Sequence, residues 1–89
     1  MRMKYVMITR NTLETPFVFP ETESHNNVAR ALTHGDLSNV ISAGFCDCYK
    51  DEINDVMSWT CFGESTTLKL VSRGMADAII FDRMFRVQY

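Results

Sequence analysis

The stretch that most restricts the fold is Val40 to Gly63, VISAGFCDCYKDEINDVMSWTCFG. Its first half alternates Ile41, Ala43 and Phe45 with Val40, Ser42, Gly44, Cys46 and Cys48, the period of two that sends successive side chains to opposite faces of a sheet. Its second half does the same, with Met57, Trp59 and Cys61 against Val56, Ser58, Thr60 and Phe62. Between them Lys50 to Asp55 supplies the Asp and Asn that favour turns, so the stretch reads as an antiparallel hairpin. Whatever else the chain builds must cover this hairpin.

What remains to cover it is limited. At 89 residues the chain reads as one domain, 1–89, and a domain this size buries only about 60–65% of the surface its unfolded form exposes. A hydrophobic fraction of 46% and a charged fraction of 22% are those of a folding globular chain rather than a disordered one. The formal net charge of -2, with both signs interspersed, provides no basic footprint and argues against nucleic acid as a partner. No apolar run approaches the roughly 18 residues that span a bilayer, and MRMKYVMITR lacks a signal peptide's apolar centre, so a cytoplasmic protein without a membrane partner is expected. The odd count of 3 cysteines fits reduced thiols better than a disulfide framework.

The flanking segments complete an α+β plan. Met3 to Thr9 has apolar residues on both faces, Tyr5 and Met7 against Val6 and Ile8, as a central strand pairing with the hairpin would. Pro16 and Pro20 bracket Phe17–Phe19, which fits a short edge strand because proline gives no ladder donor. From Glu21 the period becomes helical, with Val28, Ala29 and Leu32 on one side, acidic residues at the start and Gly35 after the end, predicting a helix over 22–33. Leu68 to Val71 reads as a last short strand. Ser72 is a fitting N-cap for a terminal helix whose stripe Ala76, Ile80, Met84, Val87 is widened by Ile79, Phe81 and Phe85. The expected fold is therefore a small antiparallel sheet, central hairpin plus N-terminal strand, packed against two helices.

Several residues carry chemistry that deserves weighing. Cys46, Cys48 and Cys61 with His25 or His34 have the donor types of a zinc site, but C-x-C on a strand is not the C-x2-C knuckle, and buried thiols are the simpler reading. His25 with Asn26, Asn27 or Asp47 could activate a cysteine; on the apolar side of its helix it reads instead as a packed histidine. Gly63 to Thr67 is small and polar without a Walker ending, and Arg73 at a helix start suits an anion. Ser65, Ser72, Arg73 and His25 thus form the candidate ligand-binding set, for a small anion or nucleotide. Trp59, Phe45 and Tyr49 could stack on bases, but without a basic groove they read as core. No catalytic residue, metal set or cofactor is assigned.

Val18-Phe19-Pro20 followed by His25, then Ser42-Ala43-Gly44-Phe45, Gly63-Glu64-Ser65 with Leu68 and Leu70, and Ser72-Arg73 with Asp77 together resemble a group of small phage and prophage proteins. In that group's pattern Pro-Glu follows the Ser-Arg pair, whereas Gly74 and Met75 stand here. The group carries no activity that transfers, so the resemblance implies a phage context, with the host cytoplasm as its location. The functional expectation is a non-enzymatic binding protein that modulates a host factor, such as a defence component, by occupying its surface. A module sequestering a small anion or nucleotide is the alternative, and a thiol or zinc enzyme the third reading. The terminal helix carries more apolar surface than a thin sheet covers, so a homodimer through that helix or a strand edge is expected, with Ile80, Phe81, Met84 and Phe85 at the interface.

Overall fold

The N-terminal strand is the centre of the sheet because both of its faces are apolar. In the computed structural model, which describes residues 2–53 and 56–85 and only the backbone of Val56, β1 (Arg2–Arg10) lies between β2 (Leu13–Phe19) and β3 (Val40–Asp51), and β4 (Val56–Phe62) closes the order β2-β1-β3-β4. All three pairings are antiparallel. Tyr5 to Ile8 are all buried. On one side Tyr5, Met7, Cys46 and Cys61 meet Ala78 and Phe81 of α2 (Met75–Phe85). On the other, Val6, Ile8, Phe19, Val40 and Ala43 meet Ala29 of α1 (His25–Thr33), with Leu68 and Leu70 packed alongside. The result is an α+β domain of three layers, with the two helices on opposite faces of the sheet.

The local departures from the sequence reading have physical causes. β2 is longer than the Phe17–Phe19 segment because Asn11 and Thr12, at φ 49° and 67°, make a two-residue turn that registers Arg10 with Leu13 and Met7 with Pro16. Positive φ at both positions is the type I′ geometry that matches strand twist. The edge position leaves Pro16 without a ladder bond to lose. A bulge between Met7 and Ile8 breaks the alternation at the start of β3, so Val40 faces α1 while Ile41 joins the α2 side. α1 begins three residues later than the predicted helix, where the Ser24 hydroxyl accepts the Asn26 and Asn27 amides at 3.1 and 3.3 Å. It ends with His34 in the left-handed region at φ 54°, one residue before the expected Gly35.

The last expected strand does not join the main sheet. Leu70–Val71 (β6) pairs instead with Glu64–Ser65 (β5), a small ribbon over the α1 side. α2 starts at Met75 rather than directly after Ser72, because Gly74 has φ +57°, a conformation proline cannot adopt. Gly44 sits where the chain leaving β4 crosses β3: a Cβ there would lie 2.5 Å from the Phe62 carbonyl oxygen and 3.1 Å from Ser72 Cβ. Asn54 and Asp55 of the hairpin connector, and Val87 of the terminal stripe, lie outside the described residues.

Candidate functional site

The four candidate ligand residues fall into separate hydrogen-bonding groups. Ser72 and Arg73 belong to a network that fastens α2 to the central strand. The Tyr5 hydroxyl has one proton, and the wholly buried Asp77 carboxylate receives it. Ser72 Oγ, 2.7 Å from the phenol oxygen, accepts the Gly74 amide at 3.0 Å. Asp77 also accepts the Arg73 amide at 3.0 Å and Arg73 Nε at 2.7 Å. The far side of the same guanidinium holds Glu14 in a two-bond fork at 2.9 and 3.1 Å.

Three donors converge on Asp77, so its charge is satisfied without water. Burial drives the Tyr5 phenol far above its usual range, and the bond to Asp77 adds to the shift. The hydrogen bond from Arg73 holds Glu14 below its usual value, and Glu14 in turn raises Arg73. A guanidinium already bonded to two carboxylates has little left for an anion. The sequence signal for this arrangement was Asp77 four residues after Arg73; Tyr5 and Glu14 gave none.

His25 and Ser65 lie on the α1 side. His25 is buried edge-on to Phe19 and Phe45, with ring centroids 5.6 and 5.8 Å away. Its Nε2 is 2.8 Å from the Gly44 carbonyl oxygen, which makes Nε2–H the donor. Burial lowers the His25 pKa and nearby Lys4 adds to this, while the bond to Gly44 opposes it. Ser65 Oγ accepts the Leu68 amide at 3.2 Å and so shapes the turn between β5 and β6. A cleft of about 410 Å³ separates this turn from α1, lined by Lys4, Ser24, His25, Phe45, Glu64 and Thr67 among others. Ser24 already caps the first amides of α1, and Lys4 Nζ donates to the Glu23 carbonyl at 2.8 Å.

The thiols are held away from reactivity. Burial pushes both Cys46 and Cys61 up to about 12, and it raises Cys48 as well. At neutral pH they are protonated, and the thiolate is the nucleophile and metal ligand. Among the described residues no three His, Cys, Asp or Glu side chains gather into a metal-binding group, and no helix is long and apolar enough to cross a membrane.

The expected interface residues divide between core and surface. Phe81 is a correction: it is fully buried within the chain, 5.0 Å from the Tyr5 ring and 5.1 Å from Trp59. Phe85 packs on Trp59 and Phe81 at 5.6 and 5.7 Å, so it too serves the core. Met84 is 48% exposed, joined by Met75 at 77% and Ile79 at 46%. At about 100° per residue, Met75, Ala76, Ile79, Arg83 and Met84 fill the arc facing away from the sheet, whereas Ile80 is half-buried and packs against the core. Arg83 is the only charge on that arc among the described residues. Trp59 is core as expected, whereas Tyr49 is exposed.

Comparison with protein-family models, with curated proteins and with solved structures finds no match in any of the three.

Proposed function

We propose that this protein is a non-catalytic binding module that docks through the outer face of α2, with a second copy of itself as one occupant. In the phage context that the sequence resemblance implies, it modulates a host factor by covering its surface. The observation that carries the reading is that α2 is apolar on both sides. One arc fills the core through Ala78, Phe81 and Phe85 with Ile80 packed alongside, and the opposite arc presents Met75, Ile79 and Met84. Exposed apolar side chains clustered on one helix face mark a surface that is covered in use, and methionine-rich faces adapt to more than one partner.

The sheet edges are weaker candidates for the same role. On β4 the Trp59 amide donates to Asp82 Oδ1 at 3.1 Å, and the Ser72 amide caps Gly63 at 2.9 Å just beyond the strand. β2 carries Pro16 and the Glu14–Arg73 pair, both of which discourage strand addition. The test is capture from a lysate of the natural host on immobilised wild type and on Ile79→Glu in parallel. The proposal expects a protein retained by the wild type and lost by the variant. The same proteins on both, or none on either, contradicts it.

A further inference from the structure

The cleft between α1 and the turn joining β5 to β6 holds polar groups that the fold leaves uncommitted. Lys4 is in register with Phe19 on one side and Phe45 on the other, so it stands between two rings on the α1 face of the sheet. Its ammonium donates to the Glu23 carbonyl at 2.8 Å and keeps two further N–H groups. Among the described residues no carboxylate pairs with it. His25 lines the same cleft while only 5% exposed. Its Nε2–H goes to Gly44 and burial lowers its pKa, so the ring is neutral and Nδ1 carries a lone pair that accepts from no described residue. Ser24 adds a donor, because its oxygen accepts the Asn26 and Asn27 amides while its own proton goes to no described group.

The surroundings define what these groups can hold. The partly exposed Phe45 ring, beside Lys4 and edge-on to His25, provides a flat apolar wall. A volume of about 410 Å³ is that of a small-molecule site and admits a single ring. Glu64 on the facing wall opposes a second negative charge, and the Arg2 guanidinium that also reaches Phe45 is held by Glu21 at 2.6 Å. One uncommitted cation facing one carboxylate suits a monoanion and disfavours a phosphate dianion or a nucleotide.

We infer that this cleft binds a small planar carboxylic acid bearing an N–H or O–H group, its carboxylate bonded by Lys4 and Ser24, its ring against Phe45 and its donor given to His25 Nδ1. This goes beyond the docking face of α2, which lies across the sheet, and each can be removed alone. The experiment is an NMR titration of ¹⁵N-labelled protein with 3- and 4-hydroxybenzoate, benzoate and 4-hydroxybenzamide in the millimolar range, reading the backbone amides and the His25 ring nitrogens.

A hydroxybenzoate should shift the amides at the start of α1 and over 63–67, and should move the Nδ1 resonance as that nitrogen gains a hydrogen bond. Benzoate, which lacks the donor, and 4-hydroxybenzamide, which lacks the charge, should each bind about tenfold more weakly. Lys4→Met should weaken the hydroxybenzoates to the level of the amide and leave the amide's own binding unchanged, while Ile79→Glu should bind all four as wild type does. No shift with either hydroxybenzoate, shifts centred outside the cleft, or an Nδ1 resonance that stays in place at saturation would overturn the inference. So would 4-hydroxybenzamide binding as tightly as the acids, or Lys4→Met binding them as wild type does.

Discussion

Replacing Tyr5 by Phe removes one oxygen and tests the bond network that joins α2 to the sheet. The lost hydroxyl gives a hydrogen bond to a buried, ionised carboxylate, and such bonds contribute about 1.5–3 kcal/mol. Asp77 keeps two donors from Arg73, so the remaining charge stays bonded and the loss belongs at that range. Asp77→Ala goes further. It leaves the Arg73 amide without an acceptor under α2 and the phenol with Ser72 Oγ alone, and losing the hydrogen bonds to a buried carboxylate, at about 1.5–3 kcal/mol for each, costs about 3–5 kcal/mol in all. A chain of 89 residues has roughly 4–13 kcal/mol in total, so this variant should be largely or partly unfolded. Tyr5→Phe should remain folded with its melting temperature lowered by roughly 6–24 °C, at about 4–8 °C per kcal/mol. Urea unfolding followed by circular dichroism measures both. A Tyr5→Phe variant within about 0.5 kcal/mol of wild type would refute the claim that this network holds the helix.

His25 has its pKa lowered by burial, so the unfolded chain binds the proton more readily; stability is fully present above about pH 6.5 and declines as pH falls through the folded value. NMR titration should give a His25 midpoint below 6.5, and a midpoint above it would refute the packing described. Glu14, depressed by Arg73, contributes stability above its unfolded pKa that is lost in acid below about pH 4; because the pair is over a third exposed on the Glu14 side, Glu14→Gln should cost under about 1 kcal/mol at pH 7. Gly44→Ala should destabilise by about 1–3 kcal/mol, read by urea unfolding, because its Cβ would meet the Phe62 carbonyl oxygen at 2.5 Å; a neutral effect would mean the crossing chain sits further away. Cys46 and Cys61 should resist iodoacetamide at neutral pH until the chain is unfolded, as measured by mass spectrometry, and rapid labelling of either in the native protein would contradict their burial.

The parts of this fold that were legible in the sequence rest on local periodicity. The alternation from Ser42 to Cys48 and from Met57 to Phe62 gave the hairpin, and the two-sided Tyr5–Ile8 run gave the central strand. What was not legible depends on contacts between distant residues or on single backbone angles. The bulge at Ile41 leaves no mark in a run of apolar side chains. Asn11-Thr12 lacks the glycine that usually signals a two-residue turn. Tyr5 and Asp77 are separated by 72 positions, so Arg73 read as free for an anion when its neighbours in space are carboxylates. The helical stripe identified Phe81 as apolar without telling which side of α2 the sheet would take; only the docking of Phe81 beneath Tyr5 and Trp59 shows that Met75, Ile79 and Met84 are left outside.

The mass of the protein in solution tests the central claim most directly, because a binding face on α2 that accepts a second copy must be visible without any added partner. Sedimentation velocity should be run on wild type and Ile79→Glu from low to high micromolar concentration, with urea unfolding of each alongside. The account predicts a wild-type dimer that the substitution converts to a monomer without lowering stability, since Ile79 lies outside the core. A wild-type monomer throughout the range, or a dimer that survives Ile79→Glu, would contradict it.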